Sequence, residues 1–494
     1  MNYYLVAIFT FVGYILYKYY IYPLYLSPLL KVPGPPVDNF ISGHLGSLLK
    51  DKQGEVFTHL AKQYGRIVRY HALLNKPYLL IFDQQLVHQI LITRPYEFPK
   101  LALNYVMVKD LIGIESISFA EGNAHKRQRK LLNPSFTFAN VKEMLPTFVQ
   151  AGHKFKDILL KQIGNKKEER ITLTKLIPKI TLDIIGLVGF NYEFDSITSD
   201  SELAKAYHLL LSKQPSPLLW ALINLFPFIR KFPTSHNKKY WDSLQTINDI
   251  SEKLIAEQKN ATIRGKDFLS LVIKTNEKLP VDEQLSHREL ISLIMTLLIA
   301  GHETTSNALV WALYYLAQNP DIQNNLRKEI LDEFSDHNNF PTFEEIDQLK
   351  YLDCIFKETL RISPSATAIM RYNSKDEIMN GYFIPKGTPM VIPIYSIHRD
   401  PLIWGDDVES FNPSRWLNPE IKSKVTNSAY LPFGAGVRSC LGMRMAHLEF
   451  KCFLLILIRN FEFKLVEGFT FKKLTNGFCK PDPGMDLLVS KVEY

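Results

Sequence analysis

One cysteine in the C-terminal part of the chain lies in a loop whose neighbours could prepare it for chemistry. Cys440 follows Gly434, Gly436 and Arg438, and it precedes a largely apolar run at residues 445–458 that is long enough for a buried helix. A thiol at a helix start with a cation close upstream is biased toward the thiolate, because the helix dipole and the cation both favour negative charge. A thiolate acts as a nucleophile or as a metal ligand, and the sequence places no obvious base beside this one. Ligation of haem iron is the better interpretation, and a small buried side chain at a turn is the alternative.

A second candidate group lies in the middle of a long predicted helix. Ser286 and Glu289 have the spacing of a capping box, and an apolar pattern then runs over residues 290–318 until an Asn-Pro pair ends it. Residues 300–305 within it read Ala-Gly-His-Glu-Thr-Thr. A glycine there costs up to about 1 kcal/mol of helix stability. We therefore expect a functional reason for these residues, and a local kink with threonines bonded to carbonyl groups is the alternative.

An acid and a base three residues apart mark a further predicted helix. Glu358 and Arg361 fall on one helical face, and most pairs of this kind are exposed and contribute little. The residues around this pair are apolar: Leu352, Ile355, Phe356, Leu360 and Ile362. We therefore expect a buried ion pair that requires further partners.

The composition is that of a large globular protein. The chain has 494 residues, 46% hydrophobic and 22% charged, which excludes a disordered or coiled-coil protein. Length alone suggests two or three domains, with one large domain as the alternative. The net charge of +8 fits nucleic acid, an anionic membrane surface or an acidic protein partner, but no nucleic-acid motif accompanies it. Setting Cys440 aside leaves an odd number of the four cysteines, which argues against a disulfide-stapled secreted protein.

The N-terminal residues predict a membrane anchor. A helix over residues 3–22, with Lys18 as its single charge, would be roughly 30 Å long, and tyrosines near both ends suit the membrane interfaces. A cleaved signal peptide is the alternative, but a basic n-region and a small-residue cleavage site are missing. The cations that follow place the body of the protein in the cytosol.

The rest of the chain is predicted to be mostly helical, with one early sheet. Residues 66–70 and 78–82 form two short strands separated by a turn. Helical periodicity is present at residues 142–162, 173–188, 242–257 and 268–276.

The loop around Cys440 resembles the haem-binding loop of the cytochrome P450 superfamily, of the microsomal eukaryotic type. The pattern F-G-x-G-x-R-x-C-x-G is met by Phe433, Gly434, Gly436, Arg438, Cys440 and Gly442. Other segments look like the family's motifs in the same order. Residues 31–36 resemble its proline-rich hinge, residues 300–305 its A-G-x-D/E-T-T segment, and residues 358–361 its E-x-x-R pair.

The resemblance implies a haem b cofactor with Cys440 as the axial ligand of the iron. The implied cofactor-binding residues are Cys440, Arg438, Phe433, Gly434, Arg371, Arg129, His125, Ala300 and Gly301. His125 stands where tryptophan is commonest in the family, and it retains a ring N–H that can contact a propionate. Ala300 stands where some branches have an acid that esterifies the haem, so the haem is expected to be non-covalent apart from the bond between iron and sulfur.

The resemblance also assigns roles around the cofactor. Glu303 is the implied acid and Thr304 the implied alcohol of proton delivery. Glu358 and Arg361, with Arg415 as a third partner, are implied to brace the loop on the cysteine side. A strand at residues 365–370 and a hairpin at residues 474–484 would bring substrate-pocket residues to the haem: Ala366, Thr367, Ala368, Ile369 and Phe478.

The implied fold is mainly α with a small β-rich lobe, and the haem lies between the long central helix and the helix after the cysteine loop. The implied organisation is an N-terminal membrane anchor at residues 1–30, a proline-rich hinge at 31–40 and a catalytic haem domain at 41–494. The resemblance places the protein in the endoplasmic reticulum membrane as a single-pass protein with a cytosolic catalytic domain.

The implied reaction is monooxygenation, in which one oxygen atom of O₂ enters a lipophilic substrate. Since the chain has no flavin or dinucleotide fingerprint, electrons are expected from a separate NADPH-cytochrome P450 reductase, with cytochrome b5 as a second candidate donor. Lys126, Arg127 and Lys130 could dock such an acidic donor. Two other functions stay open: isomerisation of hydroperoxides, whose enzymes commonly lose the acid–alcohol pair, and a membrane-bound haem sensor or carrier.

Overall fold

The computed structural model of the protein describes residues 3–50, 55–101, 106–199, 201–212, 219, 222–223, 226–260, 265–334, 340–475 and 478–493. The α-helices of this part of the chain are α1 (Tyr3–Leu16), α2 (Leu45–Lys50), α3 (Glu55–Tyr64), α4 (Gln84–His88), α5 (Val106–Ile112), α6 (Gly122–Leu132), α7 (Phe138–Lys142), α8 (Leu145–Ile163), α9 (Leu173–Phe190), α10 (Glu202–Ser212), α11 (Ser235–Asn260), α12 (Phe268–Asn276), α13 (His287–Gln318), α14 (Pro320–Glu333), α15 (Phe343–Gln348), α16 (Lys350–Ile362), α17 (Ile394–Ile397), α18 (Pro401–Trp404), α19 (Pro419–Lys424) and α20 (Met443–Asn460). The strands are β1 (Ile67–His71), β2 (Pro77–Ile81), β3 (Glu168–Thr172), β4 (Ile369–Tyr372), β5 (Glu377–Met379), β6 (Tyr382–Ile384), β7 (Pro389–Ile392), β8 (Phe461–Leu465), β9 (Lys472–Leu474), β10 (Lys480–Asp482) and β11 (Asp486–Lys491).

The long helix α13 forms the centre of the larger hydrophobic core. The capping box of Ser286 and Glu289 is formed, because the Ser286 hydroxyl accepts from Glu289 N and the Glu289 carboxylate accepts from Ser286 N. The helix then continues to Gln318, so the predicted start and end are confirmed. Helix α9 packs along α13, and α20 packs against both α8 and α13. The mainly α fold expected from the sequence is therefore confirmed.

The small β-rich lobe is built around a four-stranded sheet of order β1-β2-β7-β4. Strands β1 and β2 are antiparallel, from Ile67 opposite Ile81 to His71 opposite Pro77, which confirms the two strands predicted at the start of a sheet. Strand β7 runs parallel to β2 and antiparallel to β4. The remaining strands form the sheets β3-β11-β8, β9-β10 and β5-β6. The sheet with β1 has its own hydrophobic core, separate from that of α13.

The cysteine loop lies between these two cores. Leu431 and Ala435 are buried in the core of the sheet, whereas Phe433 and Leu441 pack against the core of α13. The loop therefore occupies the boundary between the helical part and the β-rich lobe, which is where a ligand held by both parts would bind.

The N-terminal segment is exposed along its apolar length. Helix α1 continues as a π-helix over Tyr17–Leu26, and the helical segment Tyr3–Lys31 has a mean hydropathy of 1.4. By length and composition it can cross a membrane. The proline-rich residues that follow lie along β1, because Pro33 O accepts from Arg69 N at 2.8 Å and Val32 is 1% exposed. This connection is packed against the sheet and is not a free linker.

Candidate active site

The cysteine loop folds back on itself before the start of α20. Cys440 N donates to Phe433 O at 2.8 Å, and Gly434 and Gly436 both have positive φ, at 66° and 69°. A Cβ atom at Gly436 would lie 2.2 Å from Leu91 O. The glycine at this position is therefore required both by the left-handed backbone and by the close approach of a neighbouring chain segment.

The thiol of Cys440 is enclosed by protein, and the surface that it exposes borders an internal cavity. Burial raises the pKa of the Cys440 thiol, while the backbone N–H of Gly442 and the charge of Arg129 act in the opposite direction. Arg438, the cation two residues before Cys440, forms an ion pair with Glu121. In the protein without a bound metal the thiol keeps its proton, and coordination to a metal ion would remove it.

The cavity has a volume of about 640 Å³. Its wall is formed on one side by the cysteine loop and the start of α20, and on the other by α13 and α5. Cofactor residues predicted from the sequence that line it are Cys440, Arg438, Phe433, Gly434, Arg371, Arg129, His125, Ala300 and Gly301. The structure thus brings all of these residues to one space, between the long central helix and the cysteine loop.

Helix α13 presents a narrow strip of small residues to this cavity. Ala300, Gly301 and Thr304 are on its wall, and the Thr304 hydroxyl donates to Ala300 O at 2.8 Å. A Cβ atom at Gly301 would lie 2.7 Å from the side chain of Ile185 on α9. Close packing of α9 against α13 therefore requires glycine at this position, and Gly301 also leaves its side of the cavity wall open to a ligand.

Glu303 lies on a different face of α13 from Thr304 and is not on the cavity wall. Its side chain is 8% exposed and forms an ion pair with Lys480, while Asn307 Nδ2 donates to Glu303 Oε1 at 3.2 Å. Burial alone would raise the pKa of Glu303, but the charge of Lys480 and its hydrogen bond outweigh burial and hold this pKa below its usual value. The carboxyl group is therefore ionised and directed away from the cavity.

Cations concentrate where the cavity meets the β-rich lobe. Arg371, Arg438, Arg129 and Lys100 border the cavity, and Arg438 forms an ion pair with Glu121. Among the described residues, Arg371 Nε and Arg438 Nε are buried without a hydrogen-bond partner. Burial and repulsion from neighbouring arginines lower the pKa of Lys100 to about 7 and that of Arg371 to about 10. A group with two carboxylates, such as a haem, would balance these charges and satisfy the unpaired N–H groups.

His125 is 2% exposed, and its Nδ1 lies 3.1 Å from the hydroxyl of Tyr96. Burial and the charge of Arg438 lower the pKa of His125 to about 3. The ring is therefore neutral at physiological pH, and it can offer a cofactor one N–H group but no positive charge.

The three residues predicted to brace the loop come together in the interior. Glu358 accepts from Arg361 Nε and Nη2, both at 2.9 Å, and from Arg415 Nε at 3.3 Å. Trp416 Nε1 and Asn412 N donate to the same carboxylate at 2.9 and 3.0 Å. The exposed fractions of Glu358 and Arg361 are both 0%. The further partners that a buried pair needs are therefore present.

The predicted substrate-pocket residues divide into two groups. Ala366, Ala368 and Ile369 line the cavity. Thr367 and Phe478 are not among its lining residues: the Thr367 hydroxyl donates to the carbonyl oxygen of residue 475, and Phe478 forms a backbone bridge with Ala366. Residues 476 and 477 of the predicted hairpin lie outside the described part of the chain.

Three residues of the site were not predicted from the sequence: Tyr96, Lys100 and Glu121. Lys100 borders the cavity and its backbone N–H donates to Glu121 Oε1 at 2.9 Å, while Tyr96 positions the ring of His125. No motif or spacing marks these residues. Only Glu121 could have been noticed in the sequence, because it directly precedes the cation-rich helix α6. The helix dipole stabilises an acidic side chain at that position.

Comparison with known families matches residues 33–489 to the family described as "Cytochrome P450". The chain belongs to this family and is a haem-thiolate monooxygenase. It is 30% identical to cytochrome P450 monooxygenase 128 of Postia placenta over 89% of this chain and 87% of that protein. It is 31% identical to cytochrome P450 monooxygenase sphH of Aspergillus fumigatus, over 91% and 86% of the two chains. Its identity to ganoderic acid synthetase CYP5150L8 of Ganoderma lucidum is 29%, over 89% of each chain.

Proposed function

We propose that the protein inserts one oxygen atom of O₂ into a lipophilic substrate, with electrons from a separate NADPH-cytochrome P450 reductase. One observation carries this proposal: the thiol of Cys440 and the hydroxyl of Thr304 line the same cavity, between the cysteine loop and the central helix. A haem-binding sensor or carrier would need the thiol but not the alcohol.

The residues of the chain divide the work of the reaction. When bound, haem b supplies the activation of O₂, which side chains cannot perform. Cys440 Sγ would ligate the iron, and Arg371, Arg438, Arg129 and Lys100 would hold the two carboxylates of the cofactor.

Protons reach the cavity through α13. The Thr304 hydroxyl lies on the cavity wall, and Glu303 is one residue away on the flank of the helix. We assign proton supply to Glu303 and local proton donation to Thr304. Because Glu303 is ionised, it must take a proton from solvent before it can give one up. Its protonated form, which no longer pairs with Lys480, is therefore transient.

One part of the cavity wall, formed by α5, α13 and the segment between α5 and α6, favours an apolar substrate. The side chains on this part of the wall are largely apolar: Val108, Ile112, Ile117, Phe119, Leu293 and Leu297. Together with Ala366, Ala368 and Ile369 they exclude water and bind by burial of apolar surface. A fatty acid, a sterol or a xenobiotic would suit such a wall.

The surface for the electron donor lies on α6. Lys126 and Lys130 are exposed there, whereas Arg127 is engaged by Glu289 and by Gln284 O. We assign docking of an acidic reductase, or of cytochrome b5, to the two lysines. The exposed apolar segment Tyr3–Lys31 anchors the protein as a single-pass protein of the endoplasmic reticulum membrane, with residues 41–494 in the cytosol.

The central assignment is tested by the difference spectrum of the reduced protein with carbon monoxide. The wild type is expected to give the spectrum of thiolate-ligated haem, and Cys440→Ser is expected to lose it. A wild-type spectrum without the thiolate signature would contradict the proposal.

The role of Thr304 is tested by replacement with alanine and with serine. Thr304→Ala is expected to leak electrons to peroxide, because the cavity then lacks its hydroxyl, and Thr304→Ser is expected to retain coupling. Equal coupling in both variants would favour the isomerase or carrier alternatives. Lipophilic compounds that shift the spin state of the haem identify the substrate used in these assays.

A further inference from the structure

Glu303 has a partner from a distant part of the chain that no sequence motif indicates. Lys480 begins strand β10, and its ammonium group forms an ion pair with Glu303. The other charged or titratable group next to the carboxylate is His302, whose Nε2 lies 3.8 Å from Glu303 Oε2. Burial lowers the pKa of His302, so this ring is neutral and Lys480 is the cation that balances the charge of Glu303. The ring of Tyr207 packs against His302, and burial raises the pKa of Tyr207, so it is neutral as well.

The hairpin that carries Lys480 is fixed to both walls of the active site. Cys479 N donates to Ser365 O at 3.2 Å, and Trp311 Nε1 on α13 donates to Cys479 O at 2.8 Å. The Ser365 hydroxyl in turn donates to Thr304 O at 2.8 Å. Lys480 is therefore held at a defined position beside α13, and Ser365, which bonds the hairpin, also contacts the backbone of Thr304.

The two members of the ion pair differ in their contact with solvent. The side chain of Lys480 is 22% exposed and that of Glu303 is 8% exposed. The pair therefore lies at the boundary between solvent and interior, with the lysine on the outer side. Successive residues of an α-helix are about 100° apart, which places Glu303 on the flank of α13 and Thr304 on the cavity face. A carboxylate in this place can face the lysine or turn toward the cavity, but it cannot do both.

We propose that Lys480 is a positioning residue that holds the Glu303 carboxylate on the solvent side of α13 and releases it toward the cavity for proton delivery. This inference rests on the proposed function. While paired, Glu303 exchanges with water beside Lys480 and takes up one proton, which ends its attraction to the ammonium group. The neutral carboxyl group turns and gives a proton to the Thr304 oxygen as the hydroxyl passes its own proton into the cavity. Glu303 is then a carboxylate again and returns to the ion pair with Lys480.

Removal of the ammonium group should change the charge of Glu303. In Lys480→Met the carboxyl remains buried beside Asn307 and neutral His302, so burial is no longer opposed by the ammonium charge and raises the pKa of Glu303. Lys480→Gln removes the charge but retains a hydrogen-bond donor, which guards against misfolding. Lys480→Arg retains the charge and should behave as the wild type. Lys472→Met on the exposed partner strand of the same hairpin is the matched control.

The first measurement is infrared difference spectroscopy of the haem-loaded full chain at neutral pH. Lys480→Met and Lys480→Gln should show the C=O band of a protonated carboxylic acid, which is lost when Glu303→Gln is added. These bands are read in the difference spectrum of each variant against the wild type, in which Lys480→Arg and Lys472→Met should lack the band. Burial also raises the pKa of the Glu449 carboxyl, but Glu449 is common to all variants and cancels in the difference. Absence of the band in both uncharged variants, or its survival without Glu303, would overturn the proposal.

The second measurement uses NADPH and O₂ as the only reactants, with purified NADPH-cytochrome P450 reductase and no organic substrate. Two-electron reduction of O₂ gives peroxide and four-electron reduction gives water, so the peroxide formed per NADPH reports the supply of protons. A positioned acid contributes roughly 100-fold or more to proton transfer, so its titration should change this ratio several-fold. In a pH series around neutrality the ratio should be constant in the wild type and change in Lys480→Met, because only the variant lacks the cation that holds the pKa of Glu303 low.

The double variant Lys480→Met with Glu303→Gln should match Glu303→Gln alone, because a positioning residue has no effect without the residue that it positions. A pH profile that persists in the double variant, or that also occurs in Lys472→Met, would refute the role of Lys480. A wild type without the thiolate spectrum would instead refute the proposed function itself, so the two failures are distinguishable.

Discussion

Replacement of Glu358 by glutamine should destabilise the cysteine side of the protein. The carboxylate is fully buried and accepts five hydrogen bonds, from Arg361, Arg415, Trp416 and Asn412. Glutamine has nearly the same shape, but it offers one oxygen and places an NH₂ group against N–H donors. It also leaves two buried guanidinium groups without their shared counter-charge.

The magnitude follows from the burial of these charges. Breaking a buried ion pair by removing one partner costs about 3–5 kcal/mol, most of it the penalty of the unpaired charge. Unfolding entropy of about 2.1 cal/mol/K per residue gives about 1 kcal/mol/K for residues 33–489. We therefore expect the midpoint of thermal unfolding to fall by about 3–5 °C. Arg415 also pairs with Asp407, which limits the loss at that arginine.

The assay is calorimetry of the haem-loaded protein, with the carbon monoxide spectrum as a second readout. Glu420→Gln is the matched control, because Glu420 pairs with Lys424 on an exposed helix face, where such a pair contributes little. Glu358→Gln should lower the midpoint and convert part of the haem to a form without thiolate ligation. If Glu358→Gln and Glu420→Gln shift the midpoint equally, the buried network does not stabilise the fold as argued.

Three further variants probe the cavity. Gly301→Ala should destabilise the protein, because the clash of the new Cβ atom with Ile185 costs about 1–3 kcal/mol and exceeds the gain in helix propensity of up to about 1 kcal/mol. In an Ile185→Ala background the clash is removed, so calorimetry should then show no destabilisation by Gly301→Ala. Arg129→Leu should weaken haem retention about 10- to 100-fold in transfer to apomyoglobin, as expected for loss of a charged hydrogen bond of about 1.5–3 kcal/mol, whereas exposed Lys130→Leu should not. The haem-free protein should become more stable as pH rises above about 7, because unfolded Lys100 binds a proton that the folded state has lost; Lys100→Met should flatten this rise in a urea titration series.

Much of the fold was predictable because its signals are local. The capping box at Ser286, the strand pair of the sheet and helix α12 at Phe268–Asn276 are set by periodicity and by residues close in sequence. The residues of the cofactor site were found by resemblance, since Cys440 and Arg371 lie far apart in sequence and no periodicity relates them. Lys100 and Lys480 were not found, because each is brought to the site by an irregular segment or hairpin whose path depends on tertiary contacts. Thr367 and Phe478 were assigned to the substrate pocket by resemblance alone, and neither is on the cavity wall, so their roles stay predictions.

Helix α13 combines requirements that conflict within a single turn. The cavity face needs small side chains at Ala300 and Gly301, and the face toward α9 needs the absence of a Cβ atom at Gly301. The flank must hold an ionised Glu303 in the interior, which is stable only while Lys480 balances its charge. Each requirement weakens the helix, and the burial of its long apolar remainder against α9 and α20 offsets this loss. Because the acid depends on a lysine from the C-terminal hairpin, a change in that hairpin should alter proton supply without altering any residue that contacts the cofactor.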